Sequence, residues 1–421
     1  MPIVLGAIAD DFTGATDLAN TLVSEGMRVV QVIGVPDPDA TYGDADAVVV
    51  ALKSRTAPLE DAIAESLAAL KWLRSEGAEQ ILFKYCSTFD STSKGNIGPV
   101  ADALREAMGC DLALICPAFP KNGRTIYNGV LFVGELPLAE SPMKDHPLTP
   151  MRDSNLMRLM VAQSYGKVGL IPAPIVQQGV EAIRTKMAAL IADGISYAVI
   201  DALDESDLRT IGKAAADHKL ITGGAGIALG LPDNFRARGE ITSGQNITFS
   251  ATEGRALILA GSCSAATRVQ LVQAKAKWPH AKVDIDKVAA GEDAVTELAD
   301  WAKAKPASSP VIIYGSADPE EVAAIQKRYG VAASGQMMED TLSALALRLA
   351  DAGFHRLVVA GGETSGAVVS ALEIKMLEIG PEIAPGVPWT QALGRRPLTL
   401  ALKSGNFGKP SFFEDALKVL P

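Results

Sequence analysis

Short apolar runs alternate with longer amphipathic stretches along most of the chain. Apolar residues dominate residues 3–9, 29–35 and 47–52, and runs of this length predict β-strands. Residues 57–76 instead repeat apolar side chains at helical spacing, with Pro58 in the first turn, where proline is favoured. Strands that alternate with helices of this length indicate an α/β fold with mainly parallel sheets.

The same alternation continues further along the chain. Strand–helix repeats are predicted through residues 168–175, 197–201 and 220–226. A β-hairpin is predicted to turn at Asn128-Gly129, because this dipeptide readily adopts the left-handed backbone of a two-residue turn.

A segment near the C-terminus combines prolines with a tryptophan. Residues 383–389 contain Pro385, Gly386 and Pro388 and are expected to form a rigid turn before the last strand. Trp389 ends this segment. An aromatic side chain beside two prolines is typical of loop packing, and the alternative is that Trp389 covers an adenine ring.

In the C-terminal half, three predicted strands each end in a loop of small residues. These strands cover residues 256–260, 356–359 and 398–402. Glycine lets a backbone come close to a ligand, and the first N–H groups of a helix lack partners and suit a phosphate. In open α/β sheets, ligands collect at such strand ends. The predicted nucleotide-contacting residues are Ser262, Ser264, Gly361, Gly362, Glu363, Thr364, Ser365, Gly366, Gly405, Asn406 and Gly408.

The sequence lacks the two common nucleotide-binding fingerprints. Residues 405–409 do not have the spacing of a Walker A loop or the Ser or Thr that follows its lysine. Residues 224–226 are followed by Leu229 where the third glycine of a Rossmann fingerprint belongs. The nucleotide site is therefore predicted from three loops together and not from a single motif.

The composition is that of a globular protein with more than one domain. The chain has 421 residues, of which 48% are hydrophobic and 21% charged, and a prior of roughly 150 residues per domain predicts two or three domains. The net charge of -10 argues against nucleic acid or an anionic membrane as the main partner. The cysteines and histidines show no metal-type spacing, which favours reduced thiols in the cytoplasm. We find no signal peptide and no apolar span near the ~20 residues of a membrane helix.

Two adjacent acids follow the first predicted strand. Asp10 and Asp11 stand at a strand end, where α/β enzymes hold catalytic or metal-binding groups. The alternative is that this segment only caps the next helix, a role that suits Thr13 and Asp17. Consecutive carboxylates repel each other, so we expect a cation between or near them.

The strand end after residues 81–83 is the most polar in the chain. Lys84 follows three apolar residues, and Ser and Thr pairs surround Asp90. One cation with many hydroxyls is the chemistry that holds a small polyhydroxy carboxylate. The alternative is a Ser/Thr turn with a lysine that reaches out to solvent.

With these segments in view, the chain resembles the four-carbon acid sugar kinase family. The matching segments span nearly the whole chain and are residues 10–17, 84–92, 94–98, 123–128, 261–264, 361–365 and 403–409. The resemblance implies a sugar-acid-binding domain over residues 1–231 and an ATP-binding domain over residues 255–421, with the active site in the interdomain cleft. Residues 232–254 are polar, lack a clear period and are the predicted linker.

The resemblance further implies phosphorylation of the terminal hydroxyl of 3-oxo-tetronate by ATP and Mg²⁺. D-threonate and D-erythronate are alternative acids within the same family. By the same resemblance, ATP contacts Ser262 and the loops at residues 361–366 and 405–408. A serine hydrolase that uses Ser264 or Ser365 is a distant alternative, since neither serine lies in a Gly-x-Ser-x-Gly elbow. The sequence leaves open whether the protein forms a homodimer.

Phosphoryl transfer needs positioning, charge neutralisation and a base for the attacking hydroxyl. We expect Asp10 or Asp11 to be the base, with Asp90 as the third catalytic candidate, and which carboxylate meets the metal stays open. Arg55, Lys84 and Arg124 are expected to hold the substrate carboxylate and carbonyl. The full set of predicted substrate-binding residues is Arg55, Lys84, Ser87, Ser91, Thr92 and Arg124.

Overall fold

Parallel strands flanked by helices build both units into which the chain divides. The computed structural model describes residues 3–38, 40, 42–146, 149–241, 249 and 251–420. The first unit comprises residues 1–246 and the second comprises residues 247–421. The predicted α/β fold with mainly parallel sheets is confirmed in each unit.

In the first unit, the apolar runs form strands and the amphipathic stretches form helices. The strands are β1 (Leu5–Ala9), β2 (Val29–Ile33), β3 (Ala47–Ala51), β4 (Gln80–Lys84), β5 (Ala113–Cys116), β6 (Arg124–Tyr127), β7 (Val130–Val133), β8 (Leu136–Pro137), β9 (Val168–Ile171), β10 (Tyr197–Ile200) and β11 (Leu220–Gly223). The α-helices are α1 (Phe12–Ser24), α2 (Leu59–Ser75), α3 (Ile97–Ala107), α4 (Leu156–Val161), α5 (Ala173–Val176), α6 (Val180–Ala192), α7 (Glu205–Ala214) and α8 (Pro232–Ala237).

The main sheet of this unit is parallel, in the order β2-β3-β1-β4-β11-β5-β10-β9. The chain runs to one side of β1 through β2 and β3, and then crosses to the other side at β4. The strand order therefore reverses at β1, and ligands bind at the carboxyl ends of strands where such a reversal occurs. Ala9 pairs with Ala51 on one side and with Lys84 on the other, so the residues that follow these three positions emerge at the same edge.

A small antiparallel sheet, β6-β7-β8, contains the predicted hairpin. Asn128 and Gly129 both have positive φ, 51° and 71°, as a two-residue turn of this type requires. The buried carboxylate of Asp201, which follows β10, accepts the N–H groups of Asn128 at 2.6 Å and Gly129 at 2.9 Å. It also accepts the N–H of Ala173 at 2.9 Å, so one carboxylate fixes both the hairpin turn and the start of α5.

The strand–helix repeat predicted through residues 168–175 changes from strand to helix at Pro172. β9 ends at Ile171, and Ala173–Val176 form the short helix α5. Pro172 and Pro174 explain where the strand ends, because proline has no N–H for a strand ladder but is tolerated in the first turn of a helix.

The second unit repeats the α/β pattern. Its strands are β12 (Ala256–Ala260), β13 (His280–Lys282), β14 (Val311–Tyr314), β15 (Arg356–Ala360), β16 (Met376–Ala384), β17 (Val387–Leu393) and β18 (Thr399–Lys403). Its helices are α9 (Ala265–Lys275), α10 (Ile285–Ala289), α11 (Ala294–Lys303), α12 (Pro319–Tyr329), α13 (Val331–Asp351), α14 (Gly362–Ala371) and α15 (Phe412–Val419). The strand order is β13-β14-β12-β15-β18-β17-β16, parallel from β13 to β18 and antiparallel from β18 to β16.

The predicted rigid turn over residues 383–389 is wrong for most of its length. Strands β16 and β17 pair as an antiparallel hairpin, and only Pro385-Gly386 lies between them. Trp389 belongs to β17, is fully buried and donates its indole N–H to the Ala416 carbonyl at 2.9 Å. It packs with Phe412 and Ile258 in the core of this unit, so it does not cover an adenine ring.

Part of the predicted linker is helical. Residues 232–237 form α8, in which Phe235 is buried and Asn234 donates to the Gly212 carbonyl at 2.9 Å. Residues 242–248 and 250 of the predicted linker lie outside the described residues. The three domain boundaries stay a prediction. Among the helices in the described ranges, none is both long and apolar enough to span a bilayer.

Candidate functional site

The predicted acids of the first unit meet around one arginine. Arg55 binds Asp10 through two parallel hydrogen bonds, Nε to Oδ2 at 2.9 Å and Nη2 to Oδ1 at 2.8 Å. The same Nη2 donates to Oδ1 of Asp11 at 2.7 Å. The backbone sets this geometry, because the Asp10 carbonyl accepts the Arg55 N–H at 3.1 Å and the Asp10 N–H donates to the Lys84 carbonyl at 3.0 Å. The cation expected near the two acids is therefore Arg55.

The two adjacent carboxylates have opposite electrostatic tendencies. Burial is the main influence on Asp10 and raises its pKa, although the Arg55 guanidinium opposes that rise. Burial also acts to raise the pKa of Asp11, but the charges of Arg55 and Lys84 and hydrogen bonds from Thr13 and Gly14 outweigh it, so this pKa is lowered. The Asp10 and Asp11 charges hold the pKa of Arg55 well above its usual range against the effect of burial. Asp11 stays ionised at neutral pH, and Asp10 is the more basic carboxylate.

Asp11 also caps the helix that follows it. Its Oδ1 accepts the Gly14 N–H at 3.0 Å, and its Oδ2 accepts the Thr13 hydroxyl at 2.9 Å. A Cβ on Gly14 would lie 2.3 Å from Asp11 Oδ1 and 3.0 Å from Lys84 Nζ. A side chain at position 14 would therefore collide with the Asp11 carboxylate and crowd the Lys84 ammonium group. The cap of α1 is therefore Asp11, and not Thr13 or Asp17, and a catalytic role for Asp11 stays a prediction.

Lys84 and Asp90 complete the charged cluster. Lys84 ends β4, is 3% exposed and donates to the Tyr85 carbonyl at 2.9 Å. Asp90 accepts the Thr88 hydroxyl at 2.7 Å through Oδ1, and its Oδ2 lies 3.8 Å from Arg55 Nη1. Its backbone is strained, with φ of 24° at Asp90 and 62° at Phe89. Such conformations persist where the surrounding structure enforces them, often at functional sites.

A pocket opens beside this cluster within the first unit. The pocket is small: its enclosed part has room for about one water molecule, and the unfilled space of about 230 Å³ around it includes open solvent. Charged and polar groups line one part of it and apolar side chains line the remainder. The lining residues are Asp10, Ser54, Arg55, Phe83, Asp90, Ser91, Asn96, Ile97 and Val100. The pocket therefore joins two of the predicted catalytic acids and two of the predicted substrate-binding residues, Arg55 and Ser91.

The other predicted substrate-binding residues differ in their placement. Ser91 is buried and donates to the Gln163 side chain at 2.6 Å, which leaves its hydroxyl in a structural bond. Thr92 accepts the Lys94 N–H at 3.3 Å, and Ser87 is half-buried in the turn after β4. Arg124 lies on β6, donates to the Asn122 carbonyl and does not line the pocket.

In the second unit, the three predicted loops interlock. A Cβ on Gly261 would lie 2.2 Å from the Thr364 hydroxyl, and one on Gly405 would lie 2.4 Å from the Ser262 hydroxyl. Gly361 has φ of 132°, a conformation that L side chains rarely adopt, and donates its N–H to the Lys403 carbonyl at 2.8 Å. The Ser264 hydroxyl donates to the Gly405 carbonyl at 2.6 Å. The glycines therefore allow three strand ends to approach one another within one small region.

The predicted nucleotide-contacting residues differ in their solvent exposure. Gly362, Glu363 and Asn406 are exposed, whereas Thr364 is 5% exposed and Ser365 is fully buried. Thr364 packs between the loops beside Gly261 and Gly361. The surface offered to a ligand is thus formed by backbone and by the exposed residues at the start of α14, with the two hydroxyl residues behind it.

Within the part of the chain that the structure describes, no group of three or more His, Cys, Asp or Glu side chains is arranged to hold a metal ion. The cluster of Asp10, Asp11 and Asp90 is not such a site, because the guanidinium of Arg55 already occupies the position among the carboxylates.

Comparison with known proteins agrees with this division into two kinds of site. A family of sugar-binding N-terminal domains matches residues 5–231, and a family of nucleotide-binding C-terminal domains matches residues 257–413. A Burkholderia multivorans protein named 3-oxo-tetronate kinase is 53% identical over 99% of this chain and 97% of its own length. The chain belongs to the four-carbon acid sugar kinase family.

Other members of this kinase family are similar over their full length. A Haemophilus influenzae 3-oxo-tetronate kinase is 45% identical over 98% of this chain and 99% of its own. Among solved structures, a Salmonella typhimurium LT2 protein described as a tRNA synthase is 44% identical with a TM-score of 0.91, covering 99% of each chain. A Haemophilus influenzae protein is 45% identical with a TM-score of 0.83, covering 99% of this chain and 100% of its own.

Sequence reasoning missed several residues that hold these kinase sites together. Asn96 donates to the carbonyls of Ser54 at 2.8 Å and Ala57 at 2.9 Å and so holds the Arg55 segment. Gln270 on α9 donates to the carbonyls of Phe407, Gly408 and Lys409 at 2.9–3.1 Å. Asn and Gln amides inside a helical stretch give no distinctive sequence signal, because their partners lie on distant loops. Lys403 begins the segment 403–409 that carries the family resemblance, but no role was predicted for its side chain.

Proposed function

We propose that this protein is a 3-oxo-tetronate kinase. It transfers the γ-phosphoryl group of ATP to the terminal (4-) hydroxyl of 3-oxo-tetronate and yields 3-oxo-tetronate 4-phosphate and ADP. Full-length similarity at about half identity to relatives of that name supports this function. The observation that carries it is the cluster of Arg55 and Lys84 with carboxylates beside a pocket in the sugar-binding unit, because a sugar acid needs cations for its carboxylate and a base for its hydroxyl.

The cations retain donors for a substrate. The hydrogen bonds of Arg55 to Asp10 and Asp11 use Nε and Nη2, and among the described residues the ion-pair partner of Nη1 is Asp90 at 3.8 Å. Lys84 uses one of its three N–H groups on the Tyr85 carbonyl. We propose that Arg55 Nη1 and Lys84 Nζ bind the carboxylate and carbonyl of the acid. Arg124, as the third predicted cation, would act from the β6 hairpin.

A carboxylate of the cluster accepts the proton of the attacking hydroxyl. As the new O–P bond forms and the bond from the γ-phosphorus to ADP breaks, the hydroxyl proton moves to that carboxylate. Asp10 is favoured by its raised pKa and its place in the pocket, whereas Asp11 is held ionised by its neighbours. Asp90 lines the same pocket, and its Oδ2 lies 3.8 Å from Arg55 Nη1, so it stays the third candidate.

We propose that ATP binds the glycine loops of the second unit through backbone N–H groups and the exposed start of α14. Close packing among Gly261, Gly361 and Gly405 fits a phosphate site, because a side chain at these positions would push the loops apart. Mg²⁺, when bound to the phosphates, would neutralise part of their charge. Since no described group of carboxylates is arranged for a metal, the ion would be held mainly by the phosphates and water.

A coupled ADP-release assay tests the proposed reaction. The purified protein is supplied with ATP and Mg²⁺ and, in separate reactions, with 3-oxo-tetronate, D-threonate, D-erythronate or no acid. The highest kcat/KM is expected with 3-oxo-tetronate, and the product should carry phosphate on its terminal carbon. A preference for threonate or erythronate would assign the chain to another substrate of the same family, and ADP release that no acid stimulates would refute the kinase function.

The serine hydrolase alternative gains no support from the geometry. The Ser264 hydroxyl donates to the Gly405 carbonyl, and Ser365 is fully buried. Neither serine has a histidine among its hydrogen-bond partners in the described residues. A nucleophilic serine needs such a base within hydrogen-bond reach.

A further inference from the structure

Lys403 is a buried cation directly beneath one of the nucleotide loops. It ends β18 and its side chain is fully buried. Its Nζ donates to three oxygens, namely Thr267 Oγ1 at 3.1 Å, the Ser404 carbonyl at 3.0 Å and the Gly405 carbonyl at 2.9 Å. An ammonium group has three N–H donors, whereas a neutral amine has two. The site is therefore built for the charged form.

No carboxylate balances this charge within the described residues. None of the ion pairs there includes Lys403. The ionisable groups on the packed elements are engaged elsewhere or face solvent. On α9, Arg268 pairs with Asp318 and Lys275 contacts the Tyr314 hydroxyl. On α15, Glu414 pairs with Lys277, and Asp415 accepts the Ser411 hydroxyl and lies 3.7 Å from Lys418. Glu363 on α14 and Lys409 are exposed. The Phe412 ring lies 5.7 Å from Nζ and adds an apolar wall.

A buried ammonium without a counter-ion is unstable relative to the neutral amine. Burial lowers the pKa of Lys403 to about 7. The three oxygen acceptors stabilise the protonated form of Lys403, whereas the loss of hydration destabilises it. An anion bound to the adjoining loop would stabilise the ammonium form relative to the neutral amine.

We propose that Lys403 is the counter-charge for the phosphates of the nucleotide and acts through the loop at residues 404–408 without contacting the phosphates. It is a positioning residue. By bonding the carbonyls of Ser404 and Gly405, it turns these oxygens inward, which leaves the N–H groups of the loop available to a phosphate. The proposal rests on the proposed binding of ATP to the second unit.

A proton should therefore be taken up when the nucleotide binds. At pH 8, most Lys403 side chains of the free protein are neutral, because this pH lies above a pKa of about 7. If phosphates raise the pKa by about one unit or more, linkage requires the ammonium form to bind the nucleotide about tenfold or more tightly than the neutral form. Nucleotide affinity should consequently fall as the pH rises above 7.

Isothermal titration calorimetry of the full chain with ADP and excess Mg²⁺ tests this at pH 8. ADP phosphates are already ionised at this pH, and buffers of different ionisation enthalpy, such as HEPES and Tris, reveal any proton exchanged. The wild-type protein should take up about 0.4 to 0.9 of a proton, because about a tenth of the free side chains and half or more of the bound ones carry the proton at this pH. Lys403→Met should show no uptake, with an affinity at least about twofold below wild type at pH 8, where most free Lys403 is already neutral, and about tenfold below it at pH 6. Lys403→Arg, which stays charged, should bind with an affinity independent of pH between 7 and 9. Lys282→Met is the matched control, since Lys282 lies on β13 and pairs with Glu321 at 2.5 Å.

The outcomes separate the two proposals. Binding without proton uptake in the wild type, or uptake that persists unchanged in Lys403→Met, would overturn the role of Lys403 and leave the nucleotide site intact. No heat of binding in any protein, together with no ADP release in the coupled assay, would overturn the nucleotide site itself. Proton uptake by the wild-type protein on ADP binding still tests the role of Lys403 if both Lys403 variants fail to fold.

Discussion

Replacement of Arg55 by lysine tests whether the carboxylate cluster needs a guanidinium or only a positive charge. Lysine keeps the charge but has no planar fork, so it can hold one carboxylate and not bridge two. Arg55 makes three hydrogen bonds of 2.7–2.9 Å to Asp10 and Asp11. We expect Arg55→Lys to lose two of these hydrogen bonds. It also loses the Nη1 group that is proposed to bind the substrate.

The expected loss of stability follows from these bonds. A hydrogen bond to a charged group contributes about 1.5–3 kcal/mol, which would give about 3–6 kcal/mol for two. Because 23% of the Arg55 side chain is exposed, water replaces part of this loss. We expect the free energy of unfolding to fall by about 2–4 kcal/mol. Displacement of the base and loss of a substrate contact should lower kcat/KM by about 10²-fold or more.

Arg28 supplies a matched control in the same unit. Its Nε and Nη2 bond Asp46 at 3.2 and 2.6 Å, and the exposed fractions of the two side chains, 26% and 10%, are close to those of Arg55 and Asp10. Arg28→Lys should therefore lose about 1–2 kcal/mol of stability while keeping wild-type kcat/KM. Urea denaturation measures the first quantity and the coupled ADP assay the second. Wild-type kcat/KM in Arg55→Lys, measured on folded protein, would refute the role given to this cluster.

Three further predictions concern the acids, the loops and the thiols. One of Asp10→Asn and Asp11→Asn should bind ATP normally in calorimetry yet lose turnover by about 10²-fold or more, as removal of a base requires. Gly261→Ala should raise the Kd for ATP by about tenfold or more, because its Cβ would lie 2.2 Å from a neighbouring hydroxyl. Iodoacetamide at pH 8 should label the exposed Cys263 before Cys86, since burial raises the pKa of the Cys86 thiol to about 12 and leaves little thiolate. Mass spectrometry of peptides measures the labelling.

Each of these predictions has its own check. Asparagine caps a helix as well as aspartate does, so the Asp11 variant changes the charge and keeps the start of α1. Wild-type turnover in both acid variants would exclude them as the base. Gly335→Ala, where a Cβ meets open space on α13, should leave the Kd unchanged. Faster labelling of Cys86 than of Cys263 would contradict the burial argument.

Local sequence predicted much of the first unit because each signal there acts over short distances. Residues 3–9 and 47–52 contain the strands β1 and β3, and Asn128-Gly129 forms the predicted turn. The need for a cation near Asp10 and Asp11 also followed from sequence, because like charges repel wherever they are adjacent. Which residue meets that need did not follow, since the guanidinium comes from a loop after a different strand.

Proline and tryptophan show where local signals were misleading. The prolines around residues 385–388 predicted a loop, yet Pro388 is accommodated within β17 and Trp389 fills the core beside α15. Burial of a large aromatic ring and pairing with β18 stabilise this strand more than its local propensity opposes it. Local propensity cannot include such distant partners.

The sequence by itself determined most of the strands and helices and the three glycine loops of this kinase, because backbone conformation responds to neighbouring residues. The tertiary structure alone decided that Arg55 joins Asp10, Asp11 and Asp90, that Asn96 and Gln270 support the loops, and that Lys403 is buried without a carboxylate partner among the described residues. Hydrogen bonds and charge interactions depend on distances between atoms in space. Residues far apart in the chain acquire those distances only when the sheet aligns the ends of its strands.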